Sequence, residues 1–318
     1  MATAEQIKSL IRSHFSEQPE RFYTIALQVA AHEAKQGHSD LAHDIREIVD
    51  AERKKGGPRV ISFPQDLRGL VLAEKAGVSK TSLVIHSSLQ KRIDKIIHEY
   101  RQQNKIKSYG LKHRRKILLI GPPGTGKTMT AHVLAKELGL HLYTIQVDRL
   151  VTKFIGETSS KLRQIFDLIQ REHGIYFFDE FDAIGGERSM ENDVGEMRRV
   201  LNSFLQFIEQ DTSDSLIIAA TNNPKLLDQA LYRRFDDVLY YKSPDESERR
   251  KLIENILGSF KDSDFSWERV TDKSNGLSHS EIDMACRDAI KCAILSNKPK
   301  VNVTLLLETI NNRQEKLK

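Results

Sequence analysis

The chain has 318 residues, of which 39% are hydrophobic and 29% are charged, and its formal net charge is +5. This balance is typical of a soluble globular protein of two or three domains, and no apolar run approaches the roughly 18 residues of a membrane helix. The two cysteines exclude a disulfide framework, and residues 1–6 lack signal-peptide character, so we expect a cytoplasmic protein without a membrane span.

The first 54 residues predict three short amphipathic helices that would pack as a small bundle. Apolar side chains recur at helical spacing in each of them: Ile7, Leu10 and Ile11, then Ile25, Ala26 and Val29, then Leu41, Ile45, Ile48 and Val49. We interpret residues 1–54 as a recruiting module. Residues 55–86 are predicted to contain a linker and, after it, a segment whose sequence pattern indicates no function.

Positive charge is concentrated between residues 52 and 116, which carry 17 lysines and arginines against 5 acidic residues. Its densest run is Lys112, His113, Arg114, Arg115 and Lys116. Basic runs can contact nucleic acid, but they are more often solvated surfaces, and no base-reading motif accompanies this one. We therefore do not expect a nucleic-acid partner.

From residue 87 onward, helical and strand patterns alternate. A helix is predicted to begin near Ser87, where Ser87 and Gln90 fit a capping box. Strands are predicted near 116–120, 142–147, 175–179, 215–221 and 237–241, and further helices near 129–138, 158–172 and 196–210. Alternation of this kind predicts an α/β fold, with a parallel sheet flanked by helices, over residues 87–242. From residue 243 onward only helices are predicted, and they form a C-terminal helical lid over 243–318. Ser278 and Glu281 predict a capping box at the start of one of these helices.

One stretch between a predicted strand and a predicted helix matches the phosphate-binding pattern G-x-x-x-x-G-K-[ST]. Its residues are Gly121, Pro122, Pro123, Gly124, Thr125, Gly126, Lys127 and Thr128. A glycine-rich turn in this position aims backbone N–H groups and the positive end of a helix dipole at one point. We predict that this stretch and Met129 bind ATP, with Lys127 at the β- and γ-phosphates and the Thr128 hydroxyl on Mg²⁺.

Polar side chains follow two other predicted strands. Asp179 and Glu180 end the strand near 175–179, where Asp179 is placed to hold Mg²⁺ through water and Glu180 to polarise an attacking water. Asn222 follows the strand near 215–221, although asparagine close to a proline is more often a turn residue. Arg233 and Arg234 precede the last strand and, taken alone, indicate only surface charge.

Taken together, the motifs resemble those of the AAA family of ring-forming ATPases. They occur in one order: GPPGTGKT at 121–128, KFIGE at 153–157, FDEFDAIGGER at 178–188, AATNNP at 219–224, DQALYRRFD at 228–236 and SPDESER at 243–249. The resemblance implies that Asn222 senses the γ-phosphate and that Arg233 and Arg234 are fingers for a neighbouring subunit. It also implies a hexamer whose pore loop, Lys153, Phe154, Ile155 and Gly156, grips a polypeptide.

Two departures from the usual family pattern occur. The adjacent arginines in Arg233-Arg234-Phe235 are similar to the severing and remodelling branch that includes spastin and katanin, because many other members interpose Pro-Gly. His279 replaces a glycine expected to let backbone approach the nucleoside, so it joins the expected nucleotide-binding residues. No arginine stands near the start of the helix that follows, and no second sensor arginine is expected.

The whole chain is also similar to small bacterial AAA ATPases with a helical N-terminal module, some of them paired with subtilisin-like serine proteases. The expected function is ATP-driven remodelling or unfolding of a protein. A subtilisin-like protease is one candidate partner. Two alternatives remain: a DNA-associated loader ATPase, or a nucleotide-dependent switch for a partner protein. An aromatic residue in the pore loop, Phe154, favours remodelling, because DNA-associated relatives need basic or hairpin pore elements.

Overall fold

The computed structural model describes residues 8, 19–56, 67, 69–74, 77–150, 155–182, 193–224, 229–297 and 300–316. The chain divides into two compact units, residues 1–62 and residues 63–318. The apolar residues of the first predicted helix, Ile7, Leu10 and Ile11, lie outside the described residues. No helix in the described ranges is long and apolar enough to cross a membrane.

The first unit contains a hairpin of two helices, α1 (Pro19–Lys35) and α2 (Ser39–Gly56). The chain turns between them at Gly37, whose φ of 91° favours glycine. The buried apolar residues of this hairpin are Ile25, Ala26, Val29, Ala30, Ala42 and Val49. Leu41 and Ile48, predicted to face inward, are exposed, because the buried face of α2 runs through Ala42 and Val49 instead. Helix α2 also continues to Gly56, past the predicted boundary at residue 54.

The second unit is built on a six-stranded sheet with the strand order β1-β3-β4-β5-β2-β6. The strands are β1 (Val71–Glu74), β2 (Lys116–Ile120), β3 (Leu142–Ile145), β4 (Ile175–Phe178), β5 (Leu216–Thr221) and β6 (Asp237–Tyr240). Across the sheet, the five strands β3, β4, β5, β2 and β6 each pair in parallel with the next one, which confirms the predicted parallel sheet. The edge strand β1 is antiparallel to β3 and was not predicted.

Helices cover both faces of this sheet. They are α3 (Ser87–Arg101), α4 (Gln103–Ser108), α5 (Lys127–Leu138), α6 (Val147–Leu150), α7 (Ile155–Arg171), α8 (Asp193–Gln210) and α9 (Gln229–Tyr232). Alternate strand residues face opposite ways, so Ile117 and Phe177 pack in one core with α3 and α5, while Phe178 packs against Phe166 of α7 and Phe204 of α8. Both faces of the sheet are therefore buried under helices.

The C-terminal part is helical, as predicted, and has a core of its own. Its helices are α10 (Glu246–Leu257), α11 (Trp267–Lys273), α12 (His279–Leu295) and α13 (Val303–Glu315). Ile253, Ala285, Cys286 and Ile310 are fully or almost fully buried in this core, and Val84 from the segment before α3 packs into the same core. Residues 83–84 thus connect the sheet part of this unit to its helical lid.

The parallel pairing decides which residues meet. The carboxyl ends of β2, β4 and β5 lie at one edge of the sheet and are followed by Gly121, Asp179 and Asn222. The amino ends of β2 and β6 lie at the opposite edge, next to Arg115 and Asp236. Phosphate-loop residues and predicted finger arginines therefore belong to opposite edges of one sheet.

Candidate functional site

The phosphate loop connects β2 to α5 through a turn that requires glycine. Gly124 and Gly126 have φ values of 71° and 98°, which other residues adopt only with strain. Gly126 is the residue before the first turn of α5, so the N–H groups of that turn face the loop. The predicted strand, loop and helix are all present, and the helix begins at Lys127 rather than at Met129.

Lys127 is held firmly inside the loop. Its ammonium group donates to the carbonyl oxygens of Gly121 and Pro122 and to the side-chain oxygen of Asn222, each at 2.8 Å. Burial lowers the pKa of Lys127, and the carboxylates of Asp179 and Asp182 oppose that shift. The structure thus brings together the lysine after β2 and the asparagine after β5, although 95 residues separate them in the chain.

Thr128 and Asp179 also meet at this edge. The Thr128 hydroxyl donates to the Asp179 carboxylate across 3.0 Å. A hydroxyl and a carboxylate side by side supply the hard oxygen ligands that Mg²⁺ prefers, and magnesium sites usually keep several waters as their other ligands. The two residues predicted from the sequence as magnesium ligands therefore fit that ion.

Glu180, the residue after Asp179 and two residues beyond the end of β4, has an unusual backbone conformation. Its φ is 51°, a left-handed value that is uncommon outside glycine and that often marks functional sites. The conformation is fixed from both sides, because the Glu180 N–H donates to Asp179 at 3.0 Å and the fully buried Phe181 follows it. The Phe181 N–H also donates to the Ala220 carbonyl at 2.8 Å. The Glu180 side chain is consequently exposed while its backbone is anchored.

Asp182 belongs to this cluster but was missed in the sequence analysis. Its carboxylate accepts a hydrogen bond from the backbone N–H of Asn222 at 3.4 Å. Its negative charge also acts to raise the pKa of Lys127. The signal was present in the sequence, because Asp182 is the third carboxylate within the four residues 179–182 that follow the strand. The hydrogen bond between Asp182 and Asn222 therefore links the turn after β4 to the residue after β5.

The cluster opens into a cleft of about 930 Å³. Its walls come from the phosphate loop, from α10 and α12 of the lid, and from residues 81–84. The sequence assigned no function to residues 55–86, yet Leu83 and Val84 line this cleft. Their role follows from where the folded chain places them and not from any local pattern.

The lid meets the phosphate loop directly at Gly124. A Cβ atom on Gly124 would lie 2.8 Å from the Ser278 hydroxyl and 2.9 Å from the Ser280 Cβ, too close for any side chain. The backbone N–H of Ser280 donates to the Gly124 carbonyl at 3.0 Å. Glycine at this position is therefore needed both for its φ and for the close approach of α12.

Helix α12 contributes further side chains to the cleft. It begins at His279 behind a Ser278 cap, and the capping box predicted for Ser278 and Glu281 is present. His279 lines the cleft, and so does Arg287, two turns further along the helix. The sequence analysis expected no second sensor arginine near the start of this helix. Arg287 stands too far along the helix to match that motif, but it faces the cleft.

Arg233 and Arg234 lie at the opposite edge of the sheet, in the turn between α9 and β6. Arg234 forms an ion pair with Glu209 of α8 at 3.2 Å. Arg233 is exposed and has no ion pair within the described part of the chain. Neither arginine joins the cluster around Lys127.

Asp236 fixes the turn that carries these arginines. Its carboxylate accepts the backbone N–H groups of Arg115 and Lys116, both at 2.9 Å. In return, the Asp236 N–H donates to the Lys116 carbonyl at 2.8 Å. The turn is therefore attached to the first residue of β2, the strand that ends in the phosphate loop.

We expect Asp236→Ala to lower the free energy of unfolding by about 1–2 kcal/mol, because two backbone N–H groups lose their acceptor and water replaces it only in part. Asp236→Asn is the matched control, since its side-chain oxygen still accepts, and it should cost less. Urea unfolding followed by circular dichroism measures both. Equal stability of the alanine variant and the unchanged protein would show that the carboxylate does not hold the turn.

Part of the predicted pore loop, Lys153 and Phe154, lies outside the described residues. Ile155 and Gly156, also predicted to lie in the loop, are the first two residues of α7. Helix α7 therefore begins three residues before the predicted start near Thr158. A glycine in a helix costs only about 1 kcal/mol relative to alanine, through backbone entropy, so Gly156 does not prevent the helix from beginning here.

Comparisons with known proteins agree with this geometry. The family model described as ATPase family associated with various cellular activities (AAA) matches residues 117–243. A protein of Sinorhizobium fredii named AAA family ATPase y4kL is 32% identical over 310 residues, which cover 95% of this chain and 92% of that protein.

Two other relatives are longer proteins. ATP-dependent zinc metalloprotease FtsH 1 of Sphaerobacter thermophilus is 30% identical over 80% of this chain and 40% of its own length. A 26S proteasome regulatory subunit homologue of Methanothermobacter marburgensis is 32% identical over 59% of this chain and 52% of its own length. The chain thus spans about half or less of these two relatives.

Proposed function

This chain belongs to the AAA family of ATPases and hydrolyses ATP, and on that premise we propose that it assembles into a ring that remodels or unfolds a protein substrate. The observation that carries the proposal is the arrangement of the sheet. One edge holds the phosphate loop with Glu180 and Asn222, and the opposite edge holds Arg233 and Arg234. A ring lets the second edge of one subunit meet the first edge of its neighbour.

Within the nucleotide site, the proposed roles follow from the contacts. Lys127 exchanges its loop carbonyl acceptors for phosphate oxygens, and Asn222, already bonded to Lys127, lies beside the γ-phosphate. Thr128 and Asp179 would hold Mg²⁺, which neutralises phosphate charge when it is bound. Glu180 orients the attacking water from its exposed position and accepts its proton.

Hydrolysis at this site is helped by a cation on the far side of the γ-phosphate, and Arg233 and Arg234 of the same chain are too far away to supply it. Strand β6 pairs with β2 along residues 237–240, and a strand of four residues spans about 13 Å. Arg233 and Arg234 lie before its amino end, so about that distance separates them from their own phosphate loop. They are therefore proposed to complete the site of a neighbouring subunit in a hexameric ring.

The protein substrate is proposed from the predicted pore loop and from the relatives. FtsH 1 is named a protease and the second relative a proteasome regulatory subunit homologue, and both names concern protein substrates. Residues 1–54 are proposed to recruit the substrate or a partner, among which a subtilisin-like protease is one candidate. We propose a cytoplasmic location for the assembled ring.

Phe154→Ala is expected to leave folding, assembly and basal ATP hydrolysis unchanged but to abolish substrate-stimulated hydrolysis and remodelling. The physical reason is that an aromatic ring in a pore packs against side chains of a threaded polypeptide, and alanine offers too little surface for that packing. The measurement is unfolding of a fluorescent protein fused to a captured substrate. That substrate is identified by trapping the ATP-bound protein with Glu180→Gln.

Phe154→Tyr is the matched control, because it keeps an aromatic ring and should keep most of the activity. If Phe154 instead filled a core, Phe154→Ala would lower stability by about 3–5 kcal/mol and impair basal hydrolysis as well. A variant that melts early and hydrolyses poorly would therefore contradict threading. The DNA-associated alternative would then rank first.

A further inference from the structure

The turn after β4 is joined to the end of β5 by two hydrogen bonds that continue where the strand pairing stops. The ladder between these strands ends with β4, and Glu180 then turns the chain in its left-handed conformation. The Phe181 N–H donates to the Ala220 carbonyl at 2.8 Å. Asp182 makes the second contact with its side chain, because its carboxylate accepts the backbone N–H of Asn222 at 3.4 Å. This carboxylate supplies an acceptor that the ladder no longer provides.

Asn222 is held at its backbone and at its side chain. Its backbone N–H is bonded to Asp182, and its side-chain oxygen accepts from the Lys127 ammonium group at 2.8 Å. Strand β2 pairs with β5 only as far as Thr221, so Asn222 lies beyond both of the ladders that flank β5. The direction of the Asn222 side chain therefore depends on these two hydrogen bonds and not on strand pairing.

The three carboxylates of the turn have different surroundings. Asp179 lines the cleft and accepts the Thr128 hydroxyl, and Glu180 lines the cleft with an exposed side chain. Asp182 is half-buried and does not line the cleft. It is therefore out of contact with a nucleotide bound there, and its effect on hydrolysis has to pass through a residue that it touches.

We propose that Asp182 is a positioning residue for ATP hydrolysis, which holds the Asn222 side chain in the direction required at the γ-phosphate. A hydrogen bond from a backbone N–H to a carboxylate is charge-assisted and stronger than a neutral one. Loss of this contact should slow the chemical step more than it weakens ATP binding, because catalysis depends on groups aligned for the transition state. The inference rests on the proposed role of Asn222, but it does not depend on a protein substrate.

The test measures kcat and equilibrium ATP affinity for the unchanged protein, Asp182→Ala and Asp182→Asn. We expect Asp182→Ala to lower kcat about tenfold, the effect of one lost hydrogen bond to a charged group, and to change the Kd of ATP less than about threefold. Asp182→Asn keeps a side-chain oxygen that accepts the same N–H, so it should retain about half of kcat or more. Asp262→Ala is the matched control, because Asp262 accepts the backbone N–H of Ser263 at 2.7 Å and does not line the cleft. Its kcat should not change.

A double substitution shows whether Asp182 acts through Asn222. If Asp182 only directs the Asn222 side chain, the losses in kcat are not additive, and the double alanine variant should equal Asn222→Ala alone. A further tenfold loss in the double variant would overturn the inference, since Asp182 would then act by another route. Equal loss of kcat in Asp182→Asn and Asp182→Ala would also overturn it, because negative charge or proton acceptance would then matter in place of the accepted hydrogen bond.

Two further results separate this inference from a structural role and from the proposed function. An Asp182→Ala variant that unfolds earlier by circular dichroism and loses ATP affinity together with kcat would show that Asp182 only supports the fold. Near-normal kcat for Asn222→Ala would contradict the proposed role of Asn222 itself. An impaired Asn222→Ala variant beside a normal Asp182→Ala variant would contradict the positioning role alone.

Discussion

Glu180→Gln is expected to bind ATP as tightly as the unchanged protein and to lower kcat by about 10²–10⁴, the usual contribution of a positioned general base. Glutamine has nearly the same shape and accepts hydrogen bonds, but it does not take up a proton from water. The backbone around residue 180 is fixed by Asp179 and Phe181, so the exchange should leave the cleft intact. Steady-state hydrolysis and equilibrium ATP binding are measured on the same preparation.

Glu137→Gln is the matched control for this prediction. It removes a carboxylate near the end of α5 that pairs with Arg101 at 3.2 Å and does not line the cleft. Its kcat should equal that of the unchanged protein. Hydrolysis by Glu180→Gln at a near-normal rate would show that another group activates water, and Asp182 would be the next residue to test.

Local pattern was enough to predict the centre of the sheet. β4 and β5 are short runs buried along their whole length, and β2 is apolar and buried from Ile117 onward. Their observed bounds lie within a residue or two of the predicted ones. Buried parallel strands appear in sequence as continuous apolar runs, so their signal is strong. The Ser278–Glu281 capping box was predicted for the same reason, because its partners stand three residues apart.

Features that depend on distant contacts were not predicted. β1 has only four residues, with one buried, two exposed and one intermediate, so it matches no simple pattern and exists because β3 offers it a free edge. A capping box was predicted for α3 at Ser87, but His86 caps this helix through its ring nitrogen, which accepts from the N–H of Ser88. The meeting of Lys127 with Asn222 likewise follows from strand order, which one sequence does not determine.

The last prediction concerns Arg233 and Arg234, at the edge of the sheet opposite the phosphate loop. Alanine at Arg233 or at Arg234 should lower kcat by about 10³–10⁵, the usual effect of removing an arginine finger, while ATP affinity stays nearly unchanged. Arg101→Ala is the matched control, because Arg101 forms an exposed ion pair with Glu137 at the same 3.2 Å distance as Arg234 with Glu209. It should hydrolyse ATP normally.

A mixing experiment then tests whether these arginines act between subunits. Arg234→Ala subunits keep an intact nucleotide cleft, and Lys127→Ala subunits keep intact arginines, so each variant alone should be nearly inactive. In mixed assemblies some Arg234→Ala clefts face the arginines of a Lys127→Ala neighbour, and hydrolysis should partly return. Two results would contradict the ring: no recovery on mixing, or full hydrolysis by a species that light scattering shows to be monomeric under assay conditions. Either would mean that the cation at the γ-phosphate comes from the same chain, for which Arg287 on the wall of the cleft is the residue in reach.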